Sequence, residues 1–302
     1  MEKFEVNILG CGSATPTPRH NPSAQVLNIR DRLYMIDCGE GTQGMMRRMG
    51  LSFTRLRHIF ISHMHGDHCL GLPGLLSTMA LHEVGGCINV YLPEEGVDIM
   101  RRIVDFFCRD SALTVCLNPI TSAGVLLDTP GLQVSAFPLY HRVPAFGFLF
   151  AEKPRQRHLR GDMIKYLQIP VSRLADIRAG ADWTAPDGTL YPNHRLTTDA
   201  DPSRSYAYCS DTMFNPAVAR AVRGVDLLYH EATYGADNEH LAPSRGHSTA
   251  AQAAEIARLA HARALLLGHY SKRYRDTSTL VAEAQAVFPN VTAADEGMTI
   301  KL

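Results

Sequence analysis

No stretch of about 18 apolar residues occurs in this 302-residue chain, so no membrane-spanning helix is expected. Met1-Glu2-Lys3-Phe4-Glu5 runs straight into the strand-like Val6–Gly10, and the absence of an apolar signal region predicts no secretory leader. No CxxC pair occurs among Cys11, Cys38, Cys69, Cys87, Cys108, Cys116 and Cys209. Seven is an odd number and the spacing is scattered, so free, mostly buried thiols in a reducing cytoplasm are expected. Net charge is also lacking: 30 basic residues balance 30 acidic ones, which argues against a basic nucleic-acid footprint over the whole surface but leaves a local one open. There is no low-complexity segment and no short repeat. With 45% hydrophobic and 20% charged residues, the chain reads as one large globular α/β domain or two small ones.

Against these absences stands one dense cluster, His63-Met64-His65-Gly66-Asp67-His68. It follows the apolar run Ile59-Phe60-Ile61 and precedes Gly71-Leu72-Pro73-Gly74-Leu75-Leu76, so it lies between a buried strand and a helix. On a strand end His63 and His65 would point the same way, and a turn would bring Asp67 and His68 to a second position. Such charged and imidazole groups after a buried strand need partners, and a pair of metal ions sharing a water suits them. That arrangement hydrolyses phosphodiester, ester or amide bonds.

The rest of the chain repeats the strand-then-helix rhythm. Gln25–Ile29 and Leu33–Asp37 read as a hairpin around Arg30, Asp31 and Arg32, and Thr42, 58–62, Leu72–His82, Asn89–Leu92 and Glu95–Phe107 mark further helices and strands. Residues 111–150 look like a run of strands, ending at His141 and Gly147-Phe148-Leu149-Phe150. Residues 153 to about 200 change character, with Gly180, Pro186-Asp187-Gly188 and little sustained periodicity, and read as an inserted arm. Between Lys153 and Arg178 this arm holds seven basic residues against Asp162 and Asp176; the ordinary reading of such a run is a solvated surface segment. From Ser205 the rhythm returns, and Asp211, Glu231 and His269 each close a strand-like run. Taken singly, His141 is as easily a structural histidine, Asp211 a helix cap, Glu231 a surface carboxylate and His247 a helix-start residue. Together with the cluster, His141, Asp211 and His269 make seven candidate ligands, about what two zinc ions sharing one carboxylate require.

At this point HMHGDH with His141, Asp211 and His269 resembles the metallo-β-lactamase superfamily. Within it, FEVNILGCGSATPTPRHNPSA at 4–24, MIDCGEGTQ at 35–43, YHEATY at 229–234, GHST at 246–249 and GHYSKRY at 268–274 resemble the ribonuclease Z family of transfer-RNA 3′-processing endonucleases. The resemblance implies an αββα sandwich, two mixed β-sheets flanked by helices, spanning 1–302 with a projecting arm at about 153–200. It implies two Zn2+ per subunit, with Mn2+ the alternative. One ion would sit on His63, His65 and His141, the other on Asp67, His68 and His269, with Asp211 bridging. It makes Asp67 the base, and His247 held by Glu231 the acid that protonates the leaving 3′-oxygen. It suggests Arg19, Ser271, Arg273 and Tyr274 as RNA-backbone contacts. It further implies a cytoplasmic homodimer acting on precursor tRNA, with no membrane partner, that leaves a 3′-hydroxyl on the tRNA and a 5′-phosphate on the trailer.

Two departures from the family pattern stand out. The arm segment Tyr166–Trp183 has Ile169-Pro170 where bacterial members have a Gly-Pro tip, and arginines in place of lysines. Ser210 stands where the family usually has glycine before the bridging aspartate. The alternatives are another dinuclear hydrolase on the same scaffold (phosphodiesterase, sulfatase or lactonase) and a metal-stabilised RNA binder without catalysis.

Overall fold

The computed structural model describes residues 2–109 and 111–302. Six strands open the chain: β1 (Phe4–Gly10), β2 (Ala24–Ile29), β3 (Arg32–Cys38), β4 (Leu56–Phe60), β5 (Gly86–Pro93) and β6 (Leu113–Ile120). β2 and β3 form the expected hairpin, and Arg30 and Asp31 at its turn have φ of 50° and 62°. Two left-handed residues there match the right-handed twist of the strands. β3 to β6 run parallel because the helices Thr42–Arg48, Gly71–Leu81 and Val97–Phe107 carry the chain back between them.

Three further strands, β7 (Gly124–Asp128), β8 (Leu132–Leu139) and β9 (Ala145–Glu152), belong to a second sheet. Residues 129–133 and 151–203 form a compact unit of their own. It contains β10 (His158–Leu159), β11 (Trp183–Thr184), β12 (Leu190–Tyr191), β13 (Thr197–Thr198) and three helices, Gly161–Tyr166, Val171–Arg178 and Asn193–Leu196. Ile169, Ile177, Trp183 and Leu196 are its core. Helices of four to eight residues span too few turns to show a period in the sequence, which is why the segment reads there as irregular. Arg155, Arg157, Arg160 and Arg173 pair with Glu152, Asp199, Asp162 and Asp176 inside this unit. Much of its basic charge is therefore matched locally.

The larger unit resumes with β14 (Ser205–Cys209), β15 (Leu227–Glu231), β16 (Ala264–Gly268), β17 (Val291–Ala293) and β18 (Thr299–Lys301). One seven-stranded sheet has the order β18-β1-β2-β3-β4-β5-β6 and the other β17-β16-β15-β14-β9-β8-β7. β18 pairs antiparallel with β1, Glu5 opposite Lys301. Alternation along the strands sorts the core. Leu33, Met35, Ile59, Val90 and Leu92 share a cluster with helix residues such as Met46, Leu72, Leu75 and Met79. Their neighbours Tyr34 and Phe60 meet Phe150 of β9 edge-on, with ring centroids 6.1 and 5.4 Å apart. The two sheets therefore face one another across aromatic side chains, with helices outside, as the αββα expectation requires.

Two expectations need correction. β4 ends at Phe60, so His63 and His65 stand on a connecting loop rather than on the strand. Cys87 and Cys116 are disulfide-bonded, not free: parallel pairing sets Cys87 opposite Thr114 and Cys116 opposite Asn89, a diagonal that leaves their Cα atoms 6.5 Å apart; the remaining five cysteines are free and buried.

Candidate metal centre and active site

Every candidate residue of the centre stands just beyond, or at the end of, a strand. The loop after β4 carries His63 and His65, and the short helix Gly66–Cys69 carries Asp67 and His68. His141 follows β8, Asp211 follows β14, His269 follows β16, and Glu231 is the last residue of β15. Gly71 lets the helix Gly71–Leu81 begin hard against the end of β3, since a Cβ there would lie 2.0 Å from the Gly39 carbonyl oxygen. His269 has φ of 58° and Asp37 φ of 54°, a left-handed conformation that side chains other than glycine adopt at some cost.

These positions converge. Nε2 of His63 lies 3.0 Å from Nδ1 of His65, which is 3.2 Å from Nε2 of His141. On the other side Nε2 of His68 and Nε2 of His269 lie 3.4 and 3.5 Å from Oδ2 of Asp67. Asp211 sits between: its Oδ1 is 3.1 Å from His269 Nε2 and 3.5 Å from His68 Nε2, while its Oδ2 is 3.6 Å from His63 Nε2. His68 Nε2, His269 Nε2 and Asp211 Oδ1 are buried and have no hydrogen-bond partner. Buried polar atoms left without partners are costly, and five imidazoles facing two carboxylates are a donor set for divalent metal ions. The residues fit the ions that the sequence implies.

The opposite nitrogen of most of these rings is fixed from behind. His68 Nδ1 is 2.7 Å from Asp37 Oδ2, His141 Nδ1 donates to the Gly246 carbonyl at 2.7 Å, and His269 Nδ1 lies 2.9 Å from the Thr233 hydroxyl. Such contacts fix the tautomer and aim the ring. Asp37 also accepts from the Ser62 amide and hydroxyl and from the Tyr208 hydroxyl, and it is fully buried. Ser62 and Ser210 meet hydroxyl to hydroxyl at 3.0 Å, so the serine that departs from the family pattern joins this network.

Electrostatics follow the same division. Burial, reinforced by neighbouring imidazoles, holds His63 well below its ordinary pKa, and burial also lowers His65 and His141, so these three remain neutral and able to ligate. Burial would lower His68 too, but Asp211, Asp37 and Asp67 outweigh it and raise its pKa. Asp67 and Asp211 are held well below the usual carboxylate range: burial opposes this, and nearby imidazoles, His68 first for Asp67 and His269 first for Asp211, overcome it. The pocket thus concentrates ionised carboxylates, a field that favours cations.

Beside the centre, His247 Nδ1 is 3.1 Å from Glu231 Oε1. Glu231 is wholly buried, and its two oxygens also accept from the amides of Thr212, Thr233 and Ser248 and from the Thr233 hydroxyl. Burial lowers the His247 pKa, but Glu231 and then Asp211 outweigh it and push it up to about 9.

Residues 4–102 match the family model of anti-Pycsar protein Apyc1, and residues 173–270 match the beta-lactamase superfamily domain. The chain is 46% identical to "Ribonuclease Z" of Parabacteroides distasonis over the full length of both. It belongs to the ribonuclease Z family. Another ribonuclease Z, from Porphyromonas gingivalis, is 48% identical over the full length of both chains. Among solved structures, human tRNase Z, short form, superposes with a TM-score of 0.72 at 27% identity, covering 98% of each chain. The Bacillus subtilis metallo-beta-lactamase fold protein YhfI, at 17% identity and a TM-score of 0.71, shares the fold.

Not every sequence candidate in this ribonuclease Z chain reaches the recess. Ser271 and Arg273 do; with Arg142, Arg245 and Lys272 they line an opening of about 680 Å³ that includes His247. Arg19 instead donates to the Arg275 carbonyl at 2.7 Å. The Tyr274 hydroxyl is occupied by Asp237, the Gly235 amide and Asn238, so it fastens its own loop rather than standing free for a substrate. Sequence reasoning missed the parts played by Asp37, Thr233, Arg142 and Arg245. Asp37 had a signal, since it is a carboxylate closing the apolar run Leu33–Ile36; the others had none, because only folding brings them to the site.

Proposed function

We propose that this ribonuclease Z family member is a zinc-dependent endoribonuclease that removes the 3′ trailer from precursor tRNA. The observation that carries the reading is the convergence of seven ligand-type side chains on one recess that also holds the Glu231–His247 pair. His63, His65 and His141 would hold one ion and Asp67, His68 and His269 the other, with Asp211 shared; zinc suits this donor set, with manganese the alternative. Bound there, two such ions would lower the pKa of water toward about 7 and offset the charge of the scissile phosphate.

The chain's own residues do the rest. Asp67 takes the proton of the attacking water; its Oδ2 is steadied by the Ala14 amide at 2.7 Å. As the water oxygen bonds to phosphorus and the bond to the 3′-oxygen breaks, His247 gives that oxygen a proton. The products are a 3′-hydroxyl on the tRNA and a 5′-phosphate on the trailer. Glu231 keeps His247 charged for this step, and a positioned acid contributes about 10²–10⁴-fold. Arg142, Arg245, Lys272 and Arg273 offer the phosphate contacts that RNA requires. The unit at 153–200 would hold the body of the tRNA, in a cytoplasmic homodimer. Among the described residues no helix is long and apolar enough to cross a membrane.

The test is cleavage of a precursor tRNA by the zinc-loaded protein, with the cut mapped at nucleotide resolution. Trimming at one position just past the acceptor stem is expected, and Asp67→Ala should abolish it while the protein stays folded. Turnover of bis-(p-nitrophenyl) phosphate or an aryl sulfate with no action on the precursor would overturn the reading in favour of another dinuclear hydrolase.

A further inference from the structure

A second convergence of donor atoms lies apart from the seven-residue centre. Cys11, just past β1, places Sγ 3.3 Å from Nδ1 of His20 in the following loop. The same nitrogen is 3.9 Å from Oε1 of Glu296 and 3.7 Å from Oδ1 of Asp295, both in the turn before β18. The Cys11, His20 and Glu296 atoms all lie within 4.8 Å of one another. Around one tetrahedral ion with a thiolate at about 2.3 Å and an imidazole at about 2.0–2.1 Å, neighbouring donors are roughly 3.4–3.6 Å apart. The two spacings to His20 Nδ1, 3.3 and 3.9 Å, lie within about half an ångström of these values.

Charge points the same way. Cys11 is fully buried, and the His20 and Glu296 side chains are 7% and 15% exposed. Two carboxylates and a thiol face one imidazole there. The Asn21 amide and side-chain NH2 donate to the two Glu296 oxygens, and the thiol donates to the Ala294 carbonyl at 3.6 Å, so an ion would replace the thiol's bond and share Glu296 with Asn21. Arg19 and Arg48 act on this corner from a distance, but neither forms an ion pair with Asp295 or Glu296 among the described residues; the Arg19 guanidinium is turned to the Arg275 carbonyl. Burial first, then Glu296 and Asp295, raises the Cys11 thiol, and burial raises Glu296 as well. A divalent cation would relieve this crowding, and it would displace the thiol proton to do so.

We propose that Cys11, His20 and Glu296 form a further, structural metal site, of the Cys/His/carboxylate chemistry that zinc prefers, with Asp295 or water as the fourth ligand. Its place in the fold gives it a task. The Cys11 carbonyl accepts from the Tyr270 amide at 3.0 Å, the Ser13 amide donates to the Tyr270 carbonyl at 3.0 Å, and Ala14 supplies the amide that steadies Asp67. An ion at this corner ties the loop after β1 to the turn before β18 and to the residue after His269. It holds the loop that serves the centre without belonging to it.

Cobalt(II) separates this site from the other two, whose proposed donors are nitrogen and oxygen alone. The full-length protein loaded with cobalt should show a thiolate-to-cobalt charge-transfer band in the near ultraviolet and bind three metal ions per chain. His63→Ala should lose metal yet keep the band, while Cys11→Ser should lose the band and one ion. Should Cys11→Ser fail to fold, Glu296→Gln keeps the thiol and should surrender its cobalt to a chelator at least tenfold faster than the parent. Two ions per chain with no band, a band that survives Cys11→Ser, or Glu296→Gln holding cobalt as tightly as the parent would each overturn the proposal. In the first case Cys11 and His20 simply share a buried hydrogen bond.

Discussion

Replacing Glu231 with glutamine separates what this buried carboxylate does for the fold from what it does for His247. Oε1 receives the Thr212 and Ser248 amides and His247, whereas Oε2 receives the Thr233 amide and hydroxyl. An amide side chain keeps one acceptor oxygen. Its cheaper placement puts the NH2 group at the Oε2 position, where the Thr233 hydroxyl can turn to accept but the Thr233 amide is left facing another donor. One buried, unsatisfied N–H costs about 1–3 kcal/mol. Thermal unfolding should register this as a fall of roughly 2–4 °C per kcal/mol or somewhat less in a chain of this size. His247→Ala removes a ring only 13% exposed and leaves the wholly buried Glu231 without its charged partner, so it too should lower the thermal midpoint.

In activity the two variants should converge. With Glu231 the His247 pKa stands at about 9, above the ordinary value, so its acid form predominates at neutral pH and is lost only as pH rises through that value. Glutamine removes the larger of the two raising influences, so the alkaline limb of the rate profile should move toward the ordinary pKa of about 6.5. His247→Ala should lose about 10²–10⁴-fold in kcat, and Glu231→Gln a smaller factor that grows as pH is raised. If Glu231 acts through His247, the double variant cleaves precursor tRNA no worse than His247→Ala alone. Multiplicative losses, with the metal content of all three proteins unchanged, would refute the reasoning.

Asp37→Asn should reduce metal affinity by about 10–100-fold, because His68 loses the oxygen that aims it; metal titration monitored by competition with a chelator checks this. Gly71→Ala drives a methyl group into the Gly39 carbonyl, backbone against backbone, and should cost about 1–3 kcal/mol or more in urea unfolding. Chelation should abolish cleavage and lower the thermal midpoint, with zinc restoring both; ions present at about 100 times their dissociation constant contribute roughly 2.7 kcal/mol per site.

Much of this was legible in the sequence wherever one strand carries its own evidence. The runs that became β1 to β5, the helix before Leu81 and the placement of ligand-type residues past strand ends all follow from apolar period and punctuation. The loop 61–65 shows the limit: His63 and His65 converge, but through a connection whose path depends on the helix Gly66–Cys69 rather than on strand alternation. Relations between strands were invisible. Nothing in the spacing of Cys87 and Cys116 announces that they are neighbours across a parallel pair, and nothing around Thr233 says that it touches both Glu231 and His269. Arg157 and Arg160 read as part of a solvated basic run because the fold that brings Asp199 to Arg157 and Asp162 to Arg160 is not visible in the sequence.

The pairing of β18 with β1 has a consequence for the order in which the molecule is made. Val6 waits for Ile300 and Asn7 for Thr299, while the Phe4 carbonyl waits for the Leu302 amide, so one edge of β1 stays open until residues 299–302 have been made. An open edge is a template for pairing with another chain, and contacts between such distant residues form late. Until β18 docks, each nascent molecule carries an unprotected seam through which two copies can pair.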